Sequence, residues 1–393
     1  MRLIGLCAAM VALAGAALAT GKAVYYAMLA LLALMLMYAL VSVLWTIWTL
    51  DVSMKVVRPR AVRGDRLMTI LTARHTCPLP VGDVRILLNV PGGNGGYQGI
   101  LLRMRPFAKS TYRNVIRCPH RGDYDVGVVS VSALDLFALL RMTRASGKKL
   151  MRVEVAPRAL QTDCLRLKNS DMGAEFAARA TEDNASPSDI RKWQDGDELK
   201  KVHWKLSLRK RELIVRTFES SARPDTLILP DLTQITALRD QRLALEDGIC
   251  EACLGAARAQ LNNQYPVRMP LVCQQPQELS GKNAADLNAF SDALTRVAFD
   301  SPYSYEQVLL QMTQRLQRTG GVVLATSDLT TRIADIALRM LRLGVMVKLF
   351  FITDAPREDT LEMLEMLKLA GASVTQIDPW QLETNDEKHD EKG

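Results

Sequence analysis

GVVLATSDLTTRIADIALRMLRLGVMVKLFFITDAPREDTLEMLEMLKLAGASVTQI, residues Gly321 to Ile377, decides the fold of the C-terminal half. Three short β-prone runs, Gly321 to Thr326, Val345 to Thr353 and Ser373 to Ile377, alternate with Thr330 to Leu343 and Glu358 to Leu369. In the latter two, apolar residues recur three and four apart, the period of a helix with one buried face. Strands that are apolar on both faces must be covered on both, and intervening helices do this in a parallel sheet. The segment therefore predicts a doubly wound α/β domain. Toward the N-terminus, Thr226 to Leu229 and Val267 to Cys273 add strands, and Leu238 to Leu261 and Tyr305 to Leu316 add helices. Pro270 lies within the second of these strands, where it cannot donate to a ladder. Toward the C-terminus, residues 381–393 form a charged tail with the composition of a disordered segment.

Further upstream the period falls to two. Residues 51–158 carry short alternating runs at Val52 to Val57, Leu67 to Leu71, Val84 to Val90 and Val126 to Val131. Turn signals separate them at Arg63-Gly64-Asp65, Val81-Gly82-Asp83, the glycine cluster Gly92 to Gly99, and Arg121-Gly122-Asp123. This pattern predicts an antiparallel β-sandwich-like domain. It holds nineteen Lys or Arg against seven Asp or Glu, in a chain whose formal net charge is +8. Residues 159–190 show no sustained period and include Thr181-Glu182-Asp183-Asn184 followed by Ala185-Ser186-Pro187-Ser188, which reads as a linker or exposed loop.

The first fifty residues are of another kind. No charge occurs from Leu3 to Ala19 or from Ala23 to Leu50, and only Thr20, Gly21 and Lys22 separate the two runs. A helix needs about 20 apolar residues to cross a hydrocarbon layer, so residues 1–50 read as a transmembrane helical hairpin. Trp45 and Trp48 suit an aromatic belt at one end of it. Lys55, Arg58, Arg60, Arg63 and Arg66 outweigh Lys22 in the turn, which places the remainder of the chain on the cytoplasmic side of the inner membrane. A cleaved signal peptide ending near Ala17-Leu18-Ala19 is the alternative, and it leaves the second span and its basic flank in place. A basic domain beside an anionic leaflet makes membrane lipids an expected partner. Nucleic acid is not expected, since the charge concentrates next to the spans.

Catalytic chemistry has little support. Seven scattered cysteines suit a reducing compartment, and Cys250-x-x-Cys253 sits in a helical pattern without a second pair or a nearby histidine. The histidines, His75, His120, His203 and His389, have no metal-ligand or nucleophile-base company in sequence, and no phosphate-binding G-x-x-x-x-G-K-[ST] loop occurs. No catalytic residue and no cofactor is assigned.

One stretch is unusually demanding. Ile190 to Arg209 reads IRKWQDGDELKKVHWKLSLR and continues to Glu212-Leu213-Ile214-Val215-Arg216. Asp195-Gly196-Asp197 is a turn able to cap a following helix. Leu199, Val202 and Leu206 recur at helical spacing, and Leu213 to Phe218 returns to a strand. Trp193 and Trp204 must each find a packing site or a partner. If Trp204 is a packing residue, truncation to Ala costs on the order of 3 to 5 kcal/mol.

Arg191, Trp193, Gly196, Asp197, Lys200, Val202, Trp204, Lys205, Ser207 and Arg209 resemble, in this order, the signature of the bacterial domain of unknown function 58 family. Arg121-Gly122-Asp123-Tyr124, Val126-Gly127, Asp135 to Leu139 and Val155 to Arg158 are similar to a second, upstream region of that family. Leu136 and Ala138 stand where the family has Pro and Gly, Trp193 where Tyr is common, and Leu208 where a small Ala is usual. The resemblance implies that residues 191–380 hold the signature and a von Willebrand factor A-like domain. In metal-binding members of that fold the first strand ends in D-x-S-x-S, whose oxygens suit a hard cation. The matching stretch here is Asp231-Leu232-Thr233-Gln234-Ile235, where Asp231 and Thr233 could ligate and Ile235 could not, a degenerate site from which no metal is expected. The resemblance also implies a membrane-anchored scaffold or adaptor working with a MoxR-type AAA+ ATPase, and with transglutaminase-like membrane proteins, in a cell-envelope process. Arg191, Trp193, Gly196, Asp197, Trp204, Lys205, Ser207 and Arg209 are then partner contacts or a structural clamp. The competing readings are a hydrolase or metal-dependent enzyme using Arg191 to Arg209, and a binder of anionic lipid or nucleic acid.

Overall fold

The computed structural model describes residues 2–80, 82–91, 96–165, 167, 189–193, 202–210, 212–217, 224–316 and 319–380. Most of the expected linker, residues 92–95 of the expected Gly92 to Gly99 loop and the expected charged tail therefore lie outside the described residues, while Tyr97 to Gly99 already belong to a strand. The chain divides into two compact units, Met1–Ala156 and Pro157–Gly393.

The first unit opens with two helices, α1 (Arg2–Thr20) and α2 (Ala23–Thr49), long and apolar enough to cross a membrane. Gly21 adopts a left-handed φ of 62° and donates its N–H to the Ala17 carbonyl at 2.9 Å, a C-terminal stop that suits glycine. Among the described residues nine strands follow: β1 (Asp51–Val56), β2 (Arg60–Val62), β3 (Arg66–Arg74), β4 (Asp83–Asn89), β5 (Tyr97–Arg103), β6 (Lys109–Arg117), β7 (Gly122–Leu134), β8 (Arg141–Ala145) and β9 (Met151–Ala156). One sheet runs β1-β3-β6 and the other β2-β9-β7-β4-β5, with β8 pairing the end of β7. Alternate residues point inward, as Leu67, Thr69, Leu71 and Ala73 do on β3. Both sheets feed the same core: Val52 and Leu71 of one pack with Ile86, Leu88 and Val131 of the other, and Val56, Leu67 and Ile116 with Val126, Val153 and Val155. The unit is thus a sandwich, and its inner faces supply the apolar burial that holds it together.

The last turns of α2 belong to this unit. Ala39, Ser42, Val43, Thr46 and Ile47 form a buried stripe at three- and four-residue spacing, and Ile47 and Leu50 enter the sandwich core. The buried His75 seals the contact. Its Nδ1 lies 3.3 Å from the Arg105 carbonyl, so it donates there, leaving Nε2 to accept the Thr46 hydroxyl at 3.3 Å.

The second unit contains β10 (Asp189–Lys192), α3 (Trp204–Lys210), β11 (Ile214–Thr217), β12 (Asp225–Pro230), α4 (Arg239–Asn262), β13 (Val267–Leu271), β14 (Gln277–Gly281), α5 (Leu287–Arg296), α6 (Tyr305–Thr313), β15 (Thr319–Thr326), α7 (Thr331–Arg342), β16 (Met346–Ile352), α8 (Glu358–Leu369) and β17 (Ser373–Ile377). The main sheet is ordered β14-β13-β12-β15-β16-β17, parallel except for β14, which runs antiparallel to β13 at the edge. Ile228, Val323, Phe350 and Ile352 pack under α4 and α5, while Leu227, Leu229, Val322, Leu324 and Phe351 pack under α6, α7 and α8. Successive strand residues thus serve opposite layers, which is why the central runs Leu227–Leu229 and Val322–Ala325 are apolar without interruption. The segment entering this unit is packed rather than free. The Leu160 N–H donates to the Glu251 carbonyl at 3.2 Å, and Lys348 donates to Thr162 and to the Asp163 carbonyl at 2.5 and 2.8 Å. A Cβ at Gly255 would lie 2.3 Å from the Leu160 carbonyl oxygen, so only glycine lets α4 accept this strap.

Candidate functional site

Two places carry residues singled out by the sequence. The first is the hairpin β10–β11, antiparallel with Asp189 opposite Thr217 and Lys192 opposite Ile214. The Trp193 N–H extends the ladder to the Leu213 carbonyl at 2.9 Å. The expected helix is shorter than the Leu199, Val202, Leu206 spacing suggested. Val202 precedes it as a buried, extended residue, and the His203 N–H donates to the Ile214 carbonyl at 2.8 Å before α3 starts at Trp204. An inward-facing Val can satisfy either period, so spacing could not place the boundary.

Ser207 and Trp204 part company on this short helix. Ser207 is buried; its hydroxyl accepts the Ile214 N–H at 2.9 Å and lies 3.4 Å from the Ile214 carbonyl, to which it donates. That pair ties α3 to β11. Trp204, in contrast, is 56 % exposed and Leu208 78 %. Together with Ser207, Glu212 and Leu213 they line an open depression of 190 Å³. Trp193 is half-buried, with its indole N–H shielded and unpaired among the described residues. Arg209 is exposed at the end of α3. Gly196 and Asp197 lie outside the described residues, and Arg191 and Lys205 are placed through their backbone alone, on β10 and α3.

The second place is the end of β12, where the strand order reverses between β13 and β15. In doubly wound sheets a crevice forms outside the carboxyl ends of the strands at such a switch point. Asp231 sits there, 5 % exposed, and both of its oxygens are engaged. Oδ1 accepts the Thr233 N–H at 3.1 Å and its hydroxyl at 2.6 Å; Oδ2 accepts the Thr326 hydroxyl at 2.7 Å. Burial pushes the Asp231 carboxyl above its ordinary 3.8, and the bonds from Thr233 and Thr326 oppose that rise. Tyr305, fully covered and held neutral by burial, donates to the Leu229 carbonyl at 2.7 Å. Ile235 packs against the core cluster beneath α4, so its side chain is spent on packing. Thr326, Asp328 and Tyr305 escaped the sequence reading. Only the pairing of β12 with β15 brings Thr326-Ser327-Asp328 beside Asp231, and nothing local signals it.

Residues 189–387 match the model of a family described as "Protein of unknown function DUF58". No curated protein matches the chain. Among solved structures, similarity extends to Cwp6 from Clostridium difficile, at 8% identity over 83% of this chain and 49% of that one, with a TM-score of 0.21. It extends also to Spo0M, a sporulation control protein from Bacillus subtilis, at 8% identity over 37% and 58%, TM-score 0.16. A β-glucosidase from Erythrobacter marinus matches at 15% identity over 27% and 15%, TM-score 0.17. The chain spans less than two thirds of the length of each, and none of them bears on its fold.

Proposed function

Since the chain belongs to the DUF58 family, we propose that it is a membrane-anchored adaptor that presents the β10–α3–β11 hairpin to a protein partner on the cytoplasmic side. The observation that carries this reading is the exposure of Trp204 beside Leu208 and Leu213. A solvent-exposed Trp flanked by apolar residues on a hydrogen-bonded support is the type of anchor that dominates protein interfaces. By the family resemblance, the partner class is a MoxR-type AAA+ ATPase, in a cell-envelope process that also involves transglutaminase-like membrane proteins.

The reading takes α1 and α2 as the anchor and the basic flank from Lys55 to Arg66 as its cytoplasmic marker. It takes the second unit as von Willebrand factor A-like, which the strand order β14-β13-β12-β15-β16-β17 with an antiparallel edge supports. Within that likeness Asp231 caps its own loop, as the bonds from Thr233 and Thr326 favour. Copurification from native membranes tests the proposal: the full chain retains a AAA+ ATPase and the Trp204→Ala chain releases it. Absence of any ATPase with the unaltered chain overturns the partner, and equal retention by both overturns the hairpin as its dock. A reporter joined after Gly393 reads cytoplasmic; periplasmic activity overturns the orientation.

A further inference from the structure

The hairpin of α1 and α2 contains its own ruler. Lys22 in the turn and Arg2 at the start of α1 are the charged groups that bound α1, and both must reach polar headgroups. From Thr20 back to Arg2 the helix rises about 27 Å at about 1.5 Å per residue, close to the roughly 30 Å of a hydrocarbon layer. Only Gly21 and Lys22 separate the helices, so α2 returns antiparallel beside α1. On the same scale Tyr38 lies about 22 Å from the turn, below the level of Arg2. Trp45 and Trp48, both exposed, lie about 33 and 37 Å from it, in the headgroup zone.

Tyr38 is where the sandwich meets α2. Its hydroxyl donates to the Pro80 carbonyl at 3.3 Å, and its ring meets that of Phe137 edge-on, 6.1 Å between centroids at 70°. Pro80 and Phe137 belong to two different loops, β3–β4 and β7–β8, which are pressed together at Gly82. The Gly82 N–H donates to the Leu134 carbonyl at 2.9 Å, and a Cβ there would stand 2.6 Å from the Asp135 carbonyl oxygen. The second loop is rigidly built. Buried Asp135 accepts the N–H groups of Phe137, Leu139 and Leu140 at 2.9, 2.7 and 2.6 Å, and Ala138 holds a left-handed φ of 56°. The product of this construction is an apolar tip, with Leu136 53 % and Phe137 41 % exposed. Directly after it, every residue of β8 is exposed, including Arg141 and Arg144.

We infer that the paired loops around Pro80 and Leu136-Phe137 form a wedge seated in the membrane, with their apolar tip below the headgroups and the basic start of β8 at the level of the phosphates. The inference rests on reading α1 and α2 as the membrane hairpin. It goes further in assigning a lipid-contacting role to a loop of the soluble sandwich, anchored at the depth of Tyr38 rather than held off by a tether. The bilayer is the occupant because Tyr38, which the same loops grip, lies within the length that α1 needs to cross. A rigid loop pays no ordering entropy on insertion, and exposed Leu and Phe gain by leaving water. Arg141 meets anionic headgroups by the same geometry.

Depth-dependent quenching in nanodiscs containing anionic lipid tests this with the full chain. In a Cys7→Ser, Cys164→Ser, Cys273→Ser background, Leu136→Cys carries an environment-sensitive fluorophore. A companion chain keeps the exposed Cys7 of α1 as the labelled site. The expected result is quenching of both labels by acyl-chain doxyl lipids, with the label at residue 136 protected from aqueous iodide. If Cys7 is quenched by doxyl lipid while residue 136 responds only to iodide, the wedge is overturned and the membrane hairpin stands. If neither label responds to doxyl lipid, both fall. Should Leu136→Cys not accumulate, Leu79→Cys on the companion loop gives the same reading.

Discussion

The Asp231 crevice and the Trp204 hairpin lie in one unit and treat water in opposite ways. At the crevice each polar group is answered from within: Thr233 and Thr326 saturate Asp231, and the neighbouring Ile235 is committed to the core. At the hairpin the backbone and Ser207 are answered, but the largest side chain is left in solvent. A closed hydrogen-bond network stabilises a fold and offers little to a ligand. Unburied aromatic area stabilises nothing until something covers it. The contrast assigns the crevice to architecture and the hairpin to recognition, and it can be broken by substitution.

The largest effect is expected at the crevice. Asp231→Ala removes the acceptor of the Thr233 N–H and hydroxyl and leaves the buried Thr326 hydroxyl to donate to the Asp328 carbonyl alone, and denaturant titration of the second unit should show a loss of about 3 kcal/mol. A near-neutral result would mean that the network is water-supported and the crevice open to ligands. The cost should also depend on pH. Burial raises the Asp231 carboxyl above 3.8, so the folded state keeps its proton after the unfolded state has released it. The stability that follows from this is present below the unfolded value and fades as pH rises through the folded one. The gap between the unaltered chain and Asp231→Ala should therefore narrow as pH is raised from about 4 to about 7. A gap that widens instead would show that the ionised form is the favoured one.

Ser207→Ala should come next. It removes the acceptor of the Ile214 N–H and the donor to the Ile214 carbonyl, worth about 1 to 2 kcal/mol by the usual cost of an orphaned amide. Hydrogen exchange should localise the change to the amide of Ile214 and its neighbours on α3 and β11. Uniform loss of protection across the main sheet would contradict the view of the hairpin as a separate two-stranded piece.

The extent to which the sequence disclosed these regions follows the same division. Where a physical period is enforced by burial, the reading succeeded: Glu358–Leu369 and Ser373–Ile377 carry the expected bounds, because Leu364, Leu367 and Val374 answer to one core layer and Ile377 to the other. β14 was missed, since QELSG at an edge has little apolar content, and α5 was missed although Leu287, Phe290 and Leu294 recur three and four apart. The helical spacing of Val202 and Leu206 misled, because a buried residue at the end of an extended stretch mimics the next turn. Long-range pairing was invisible throughout, and with it the meeting of Asp231 and Thr326. Above all, sequence gives residue type and not exposure, so Trp204 was legible as demanding but not as displayed.

Trp204→Ala therefore carries the smallest expected change in stability and the greatest weight. As a packing residue it would cost on the order of 3 to 5 kcal/mol on truncation. The structure leaves it 56 % exposed at the lip of an open depression, so the expected cost is about 1 kcal/mol or less, near the range of surface substitutions. Because Ser207 and the His203 N–H hold α3 to Ile214 independently of the indole, the hairpin should keep its exchange protection in this variant. Loss of partner retention with stability preserved would then be a recognition effect, since neither the fold nor the support of the site has moved. A melting temperature depressed as far as that of Asp231→Ala would instead place the indole among the structural residues and remove the difference between the two regions.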